Sequence, residues 1–154
     1  MGLDMYLSAK KYMSKYFDPA DSQKISAIND IFGLEGEEDG DYGAQEVKFR
    51  VAYWRKANAI HQWFVDNVQD GEDNCDEYGV PRESLEELMA LCEQIIANPK
   101  NAKKNLPTAS GFFFGSTEYD EYYIQDLEYT VARFKKILND PALQKCDFYY
   151  QSSW

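Results

Sequence analysis

"VKFRVAYWRKANAIHQWFVDNV", residues 47–68, changes its period in mid-course. Val47, Phe49, Val51 and Tyr53 alternate with Lys48, Arg50 and Ala52, the two-residue repeat of a half-buried strand. From Trp54 onward the apolar positions recur at helical spacing. Ala57, Ile60, His61, Phe64 and Val68 share one face, with Trp54 and Val65 at its edge. The stretch predicts a strand passing directly into a helix that runs from about Trp54 to Val68, and with it a mixed α+β architecture.

The flanking sequence supplies the other elements. Leu3, Met5 and Leu7 alternate with Asp4 and Tyr6 and predict an opening strand. "DPADSQKISAINDIFGL" places Ile25, Ile28, Ile31 and Phe32 on one face of a short amphipathic helix behind a proline start signal. "RESLEELMALCEQIIAN" carries the stripe Leu85, Leu88, Met89, Cys92, Ile95 and Ile96. "NPKNAKKNLPTASG" reads as a basic, polar connector. A third long helix follows, with Ser116 or Thr117 as its cap, acids in its first turn, Arg133, Lys135 and Lys136 near its end, and Asn139-Asp140-Pro141 as its stop. "CDFYYQSSW" reads as a last strand. Residues 1–154 are thus expected to form a single α+β domain: a small, largely antiparallel sheet packed by three to four helices.

Composition narrows the function classes. A net charge of −11 argues against direct nucleic-acid binding, which rests on phosphate neutralisation; an acidic chain meets DNA-binding machinery by imitating DNA instead. Aromatic residues make up 16% of the chain, far from the composition of disordered acidic proteins. Cys75, Cys92 and Cys146 are widely separated, and with one histidine they form neither a disulfide framework nor a zinc site, which fits a reducing cytoplasm. No apolar run approaches a membrane span or a secretory leader, and Tyr6 stands where a myristoylation signal on Gly2 needs Ser or Thr.

Catalytic signatures are missing. There is no Gly-x-Ser-x-Gly elbow, phosphate loop, dinucleotide fingerprint or His-Glu-x-x-His helix, so the sequence predicts a protein without enzymatic activity, cofactor or metal. Glu35, Glu37, Asp39, Gly40 and Glu46 reproduce the spacing of a calcium loop, but glutamates stand where short side chains belong, and a solvated acidic loop is the plainer account.

Two motifs concentrate binding chemistry. Arg55, Asn58 and Gln62 form a shoulder beside the apolar face that holds His61, presenting a guanidinium, amides and an imidazole suited to an anionic, hydrogen-bonding small molecule. The plainer account of His61 on that face is a core histidine bonded to a carbonyl or a tyrosine. "SGFFFGSTEYDEYY", residues 110–123, is the second. Its glycines permit close backbone approach; Phe112 and Phe114 are expected to face one side and Phe113 the other, in a two-sided strand. Ser116, Thr117 and Tyr119 then lie at a strand-to-helix junction with exposed N–H donors. The candidate ligand-binding set is Trp54, Arg55, Asn58, His61, Ser116, Thr117 and Tyr119.

The start "MGLDMYL", the central "YWRKANAIHQWF", "GFFFGSTEYDEYY" and the ending "DFYYQSSW" resemble a family of small, mostly uncharacterised proteins carried by bacteriophages and prophages. The resemblance spans nearly the whole chain and brings no activity, fold or catalytic residue with it. It implies a setting, an accessory phage protein in the host bacterial cytoplasm, where interference with host defence is a common purpose. Within that setting the expected function is sequestration of an anionic, nucleotide-derived small molecule, with a homo-oligomer expected because a neighbouring subunit often completes such pockets. The alternatives are an acidic, DNA-mimicking inhibitor of a host defence nuclease or DNA-binding complex, acting through Glu35 to Asp41 and Glu72 to Glu77, and an adaptor using Trp63 and Trp154 as anchors.

Overall fold

The computed structural model describes residues 2–35 and 43–154. Its elements run β1 (Asp4–Tyr12), α1 (Asp21–Phe32), β2 (Glu46–Arg55), α2 (Asn58–Val68), β3 (Tyr78–Val80), α3 (Arg82–Ala97), a 3-10 turn (Pro99–Asn101), α4 (Ala102–Asn105), α5 (Glu121–Asn139), a second 3-10 turn (Pro141–Leu143) and β4 (Asp147–Ser153). The strands order as β2-β1-β4-β3, with β3 antiparallel to β4. The result is the expected small α+β fold with an antiparallel sheet packed against several helices. No helix among the described residues is long and apolar enough to cross a membrane. Most of the acidic segment weighed as a calcium loop lies outside the described residues.

The chain forms two compact units, Met1–Ala9 with Arg50–Trp154, and Lys10–Phe49. In the first, Leu3, Met5 and Leu7 of β1 are fully buried and alternate with the half-buried Asp4 and Tyr6, as their period required. Phe148, Tyr150 and Ser152 are the buried set of β4. Helix α3 buries Leu85, Leu88, Cys92 and Ile95, and α5 buries Tyr123, Leu127, Thr130, Phe134 and Ile137. These stripes join the strand residues in one core.

Strand β2 corrects the central reading. Ala52 and Trp54 are its buried residues, while Phe49 and Tyr53 are exposed, so the strand presents the face opposite to the one predicted. Trp54 decides the register. Its indole ring meets Phe64, Tyr129 and Phe134, and its N–H donates to the Thr130 hydroxyl at 2.9 Å. Burying so large a ring outweighs burying Tyr53, whose hydroxyl is satisfied outside by Asp4.

The strand therefore runs to Arg55, and α2 begins at Asn58, four residues later than predicted. Lys56 takes a left-handed φ of 61°, and Ala57, at φ −75° and ψ 66°, centres an inverse γ-turn closed by Asn58 N–H to the Lys56 carbonyl at 2.8 Å. This tight reversal replaces the continuous strand-to-helix passage.

The phenylalanine run is also not a strand. Residues 111–114 form a turn, with Phe114 N–H donating to the Gly111 carbonyl at 3.2 Å and Phe112 95% exposed. A Cβ on Gly111 would lie 2.6 Å from the Phe114 ring, so the glycine is what lets that ring fold back over the backbone. The additional strand of the sheet is β3, and the basic connector holds the short α4.

In the second unit α1 meets half of its expectation. Ile25 and Ile28 are half-buried beside the buried Asp21 and Asn29, while Ile31 and Phe32 are 79% and 75% exposed. The polar pair supplies the reason. Asp21 accepts from Ser14 N–H and ion-pairs with Lys11 and Lys24, and Asn29 Oδ1 accepts from Ala44 N–H at 2.8 Å. Hydrogen bonding to two loops thus sets which face of the helix points inward.

Candidate functional site

One cleft, of about 310 Å³, lies within the first unit where the β2–α2 junction meets the start of α5. Arg55, Lys56 and Ser116 line it from the β2–α2 junction and the loop before α5, Glu118, Asp120, Tyr122, Gln125 and Asp126 from the start of α5 and the residues before it, and Ala57, Ile60, Tyr123 and Leu127 contribute buried apolar surface. The γ-turn is what places Arg55 and Lys56 here. Gly115, at φ 85°, brings its backbone against the Lys56 stem, and a Cβ there would sit 3.1 Å from Lys56 Cβ. The left-handed conformation of Gly115 favours glycine, and the close approach to Lys56 adds to that preference.

The expected site residues divide. Arg55, Asn58 and Ser116 line the cleft, whereas Trp54, His61, Thr117 and Tyr119 do not. Trp54 is core. Asn58 is 3% exposed and its amide is used up: Nδ2 donates to the carbonyls of Phe114 and Ser116 at 3.0 and 2.8 Å, and Oδ1 accepts from Ala109 N–H at 3.0 Å. It fastens the wall of the cleft and leaves no donor for a ligand. Thr117 gives its carbonyl to the Thr108 hydroxyl, and Tyr119 packs its ring on Tyr123 while its hydroxyl accepts from Thr108 N–H.

His61 follows the core alternative. It is fully buried, with Nδ1 2.7 Å from the Tyr150 hydroxyl and Nε2 3.0 Å from Asp73 Oδ2. Burial pushes the Tyr150 phenol well above its usual pKa, so it keeps its proton and can donate to Nδ1, while Nε2–H donates to Asp73. The same carboxylate accepts from the Trp154 indole at 3.0 Å.

The α5 cap differs from expectation in a way that matters for the ligand. Asp120, rather than Ser116 or Thr117, caps the helix and accepts from Tyr122 and Tyr123 N–H at 3.0 and 3.1 Å. A carboxylate thus already occupies the N–H donors considered for an incoming anion. Ser116 Oγ accepts from Glu118 N–H at 3.1 Å, which leaves its own O–H to donate.

No known protein family, curated protein or solved structure matches the chain. The cleft must be interpreted from its own chemistry. Two cations and three carboxylates line it, and among the described residues no cluster of His, Cys, Asp or Glu is arranged to hold a metal ion. Such a cleft suits a ligand with an anionic group at one end and hydrogen-bond donors at the other.

Asp126 is the residue the sequence reading missed. It is half-buried in the cleft, no described residue donates to its carboxylate, and burial, followed by the nearby Asp120 charge, raises its pKa to about 6. A signal existed: Asp126 adjoins Leu127 and stands four residues before Thr130, both on the buried stripe of α5. Because its folded pKa exceeds the unfolded value, the native state holds the extra proton between about pH 4 and pH 6, and this contribution to stability is lost as pH rises through that window. Asp126→Asn should therefore raise Tm at pH 8 and leave it nearly unchanged at pH 4, as measured by calorimetry across that range.

Proposed function

We propose that this protein binds, without transforming it, a small nucleotide-derived molecule in the cleft, with the anionic group held by Arg55, Lys56 and the Ser116 hydroxyl. The observation that carries this reading is the presence, in one cavity, of two cations that make no ion pair and a carboxylate that lacks a donor among the described residues. Both ends of such a cleft gain partners when a ligand enters. Resemblance to phage accessory proteins supplies a purpose: capture would withhold a nucleotide signal from defence machinery in the host cytoplasm.

The acidic-mimic alternative draws less support. Asp73, within one of its two acidic patches, is engaged by His61 and Trp154, which ties that carboxylate into the fold.

Native mass spectrometry with a pool of the four ribonucleoside monophosphates tests the proposal and reports the subunit count. One nucleotide per chain is expected, with affinity reduced about tenfold or more in Arg55→Ala, the loss of one charge-assisted contact. Retention of no nucleotide by the wild-type protein contradicts it.

A further inference from the structure

The α5 part of the cleft is built on one helix face. Tyr122 and Asp126 are four residues apart on α5, so their side chains lie on the same side about 6 Å apart along the axis, with Gln125 next to them. Tyr122 is 67% exposed and offers a ring at the rim; Asp126 is the more buried of the two and offers two acceptor oxygens. A flat ring resting on Tyr122 would bring its edge to the Asp126 carboxylate.

The chemistry of that edge is restrictive. An ionised carboxylate with no donor among the described residues is matched by two adjacent N–H groups. Guanine presents such a pair, N1–H beside the N2 amine. Adenine and cytosine place an acceptor nitrogen beside their single amine, and uracil has one N–H between two carbonyls.

Resting on the binding proposal above, we propose that the cleft selects a guanine nucleotide: Asp126 accepts from N1–H and the N2 amine, Tyr122 stacks on the base, and Arg55, Lys56 and Ser116 take the phosphate. Gln125 stands beside the base edge, where its amide can donate to O6. The charged and titratable groups around Asp126 in the cleft are Arg55 and Lys56 from the β2–α2 junction, Glu118 and Asp120 before the helix, and Tyr122 and Tyr123 on the helix itself. With the Asp126 pKa raised to about 6, the carboxylate is ionised at neutral pH and becomes protonated below that value. A protonated acid is one acceptor and one donor, which suits adenine instead, so the preference for guanine should narrow at pH 5.

Isothermal titration calorimetry with GMP and with AMP at pH 7.4 and pH 5 tests this on the wild-type protein and on Asp126→Asn. Asparagine is nearly isosteric, and among the described residues no donor to the Asp126 carboxylate is lost by the change. At pH 7.4 the wild type should bind GMP at least about tenfold more tightly than AMP, and the variant should bring the two within about threefold. Equal wild-type affinities overturn the guanine assignment while leaving nucleotide binding in place. A preference that survives in Asp126→Asn overturns the role of this carboxylate. Failure of both nucleotides to bind overturns the binding proposal and this one with it.

Discussion

Asn58→Ala should lower the stability of the protein by about 3 kcal/mol, close to 1 kcal/mol for each of the three hydrogen bonds its amide makes. Phe114 and Ser116 would lose a shared donor and Ala109 N–H an acceptor, so the loop carrying Gly115 would no longer be fixed against the first turn of α2. For a chain of this length that corresponds to a Tm roughly 10 °C lower. Asn58→Asp should be no better tolerated, because a second carboxylate oxygen would then face two carbonyls. The cleft is formed by the same loop, so ligand affinity should fall together with Tm. Calorimetry showing a loss under about 2 °C would contradict the assignment of Asn58 as the clamp.

The second large effect concerns His61. His61→Phe keeps the ring volume but strands the Tyr150 hydroxyl, which is fully buried, and removes a donor from Asp73. A cost of about 2–3 kcal/mol is expected, most of it from the unsatisfied phenol. Tyr150→Phe in the same chain should recover part of that cost, because the hydroxyl needing a partner is gone. The double-mutant cycle separates the two accounts by denaturant unfolding: additivity within about 0.5 kcal/mol would show that the pair is not coupled. In neither variant should ligand affinity change beyond what instability brings, since His61 lies outside the cleft.

The buried stripes of α3 and α5 and the alternation of β1 were legible because each stripe has a single period and a polar opposite face. What failed were positions where two periods overlap. Trp54 fits both the strand, two residues after Ala52, and the helix, three residues before Ala57, and only the rings packed around it in three dimensions decide between them. The left-handed Lys56 carried no signature, since neither glycine nor asparagine marks the reversal. In α1 Ile25 and Ile28 of the expected stripe turn inward and Ile31 and Phe32 do not, and the hydrogen bonds of Asp21 and Asn29 to the neighbouring loops, which complete the buried face, are encoded by no periodicity.

The candidate site was half visible for a related reason. Arg55 and Ser116 stood out as polar groups at element junctions, and both line the cleft. Asn58 was also singled out, yet its amide is spent on the fold, which depends on a loop more than fifty residues away. Lys56 and Asp126 acquire their roles from the γ-turn and from the docking of α5, so local sequence understated them. The glycines bracketing the phenylalanines were recognised as points of close approach, and Gly111 beneath the Phe114 ring and Gly115 against Lys56 meet that expectation.

The central claim is that the cleft between the β2–α2 junction and the start of α5 is a nucleotide site. Titration of the isotopically labelled protein with GMP, followed by amide chemical shifts, tests it most directly. Saturable shifts centred on Lys56, Gly115, Ser116, Tyr122 and Asp126 are expected. Shifts confined to residues outside the cleft, or none at millimolar GMP, would contradict it.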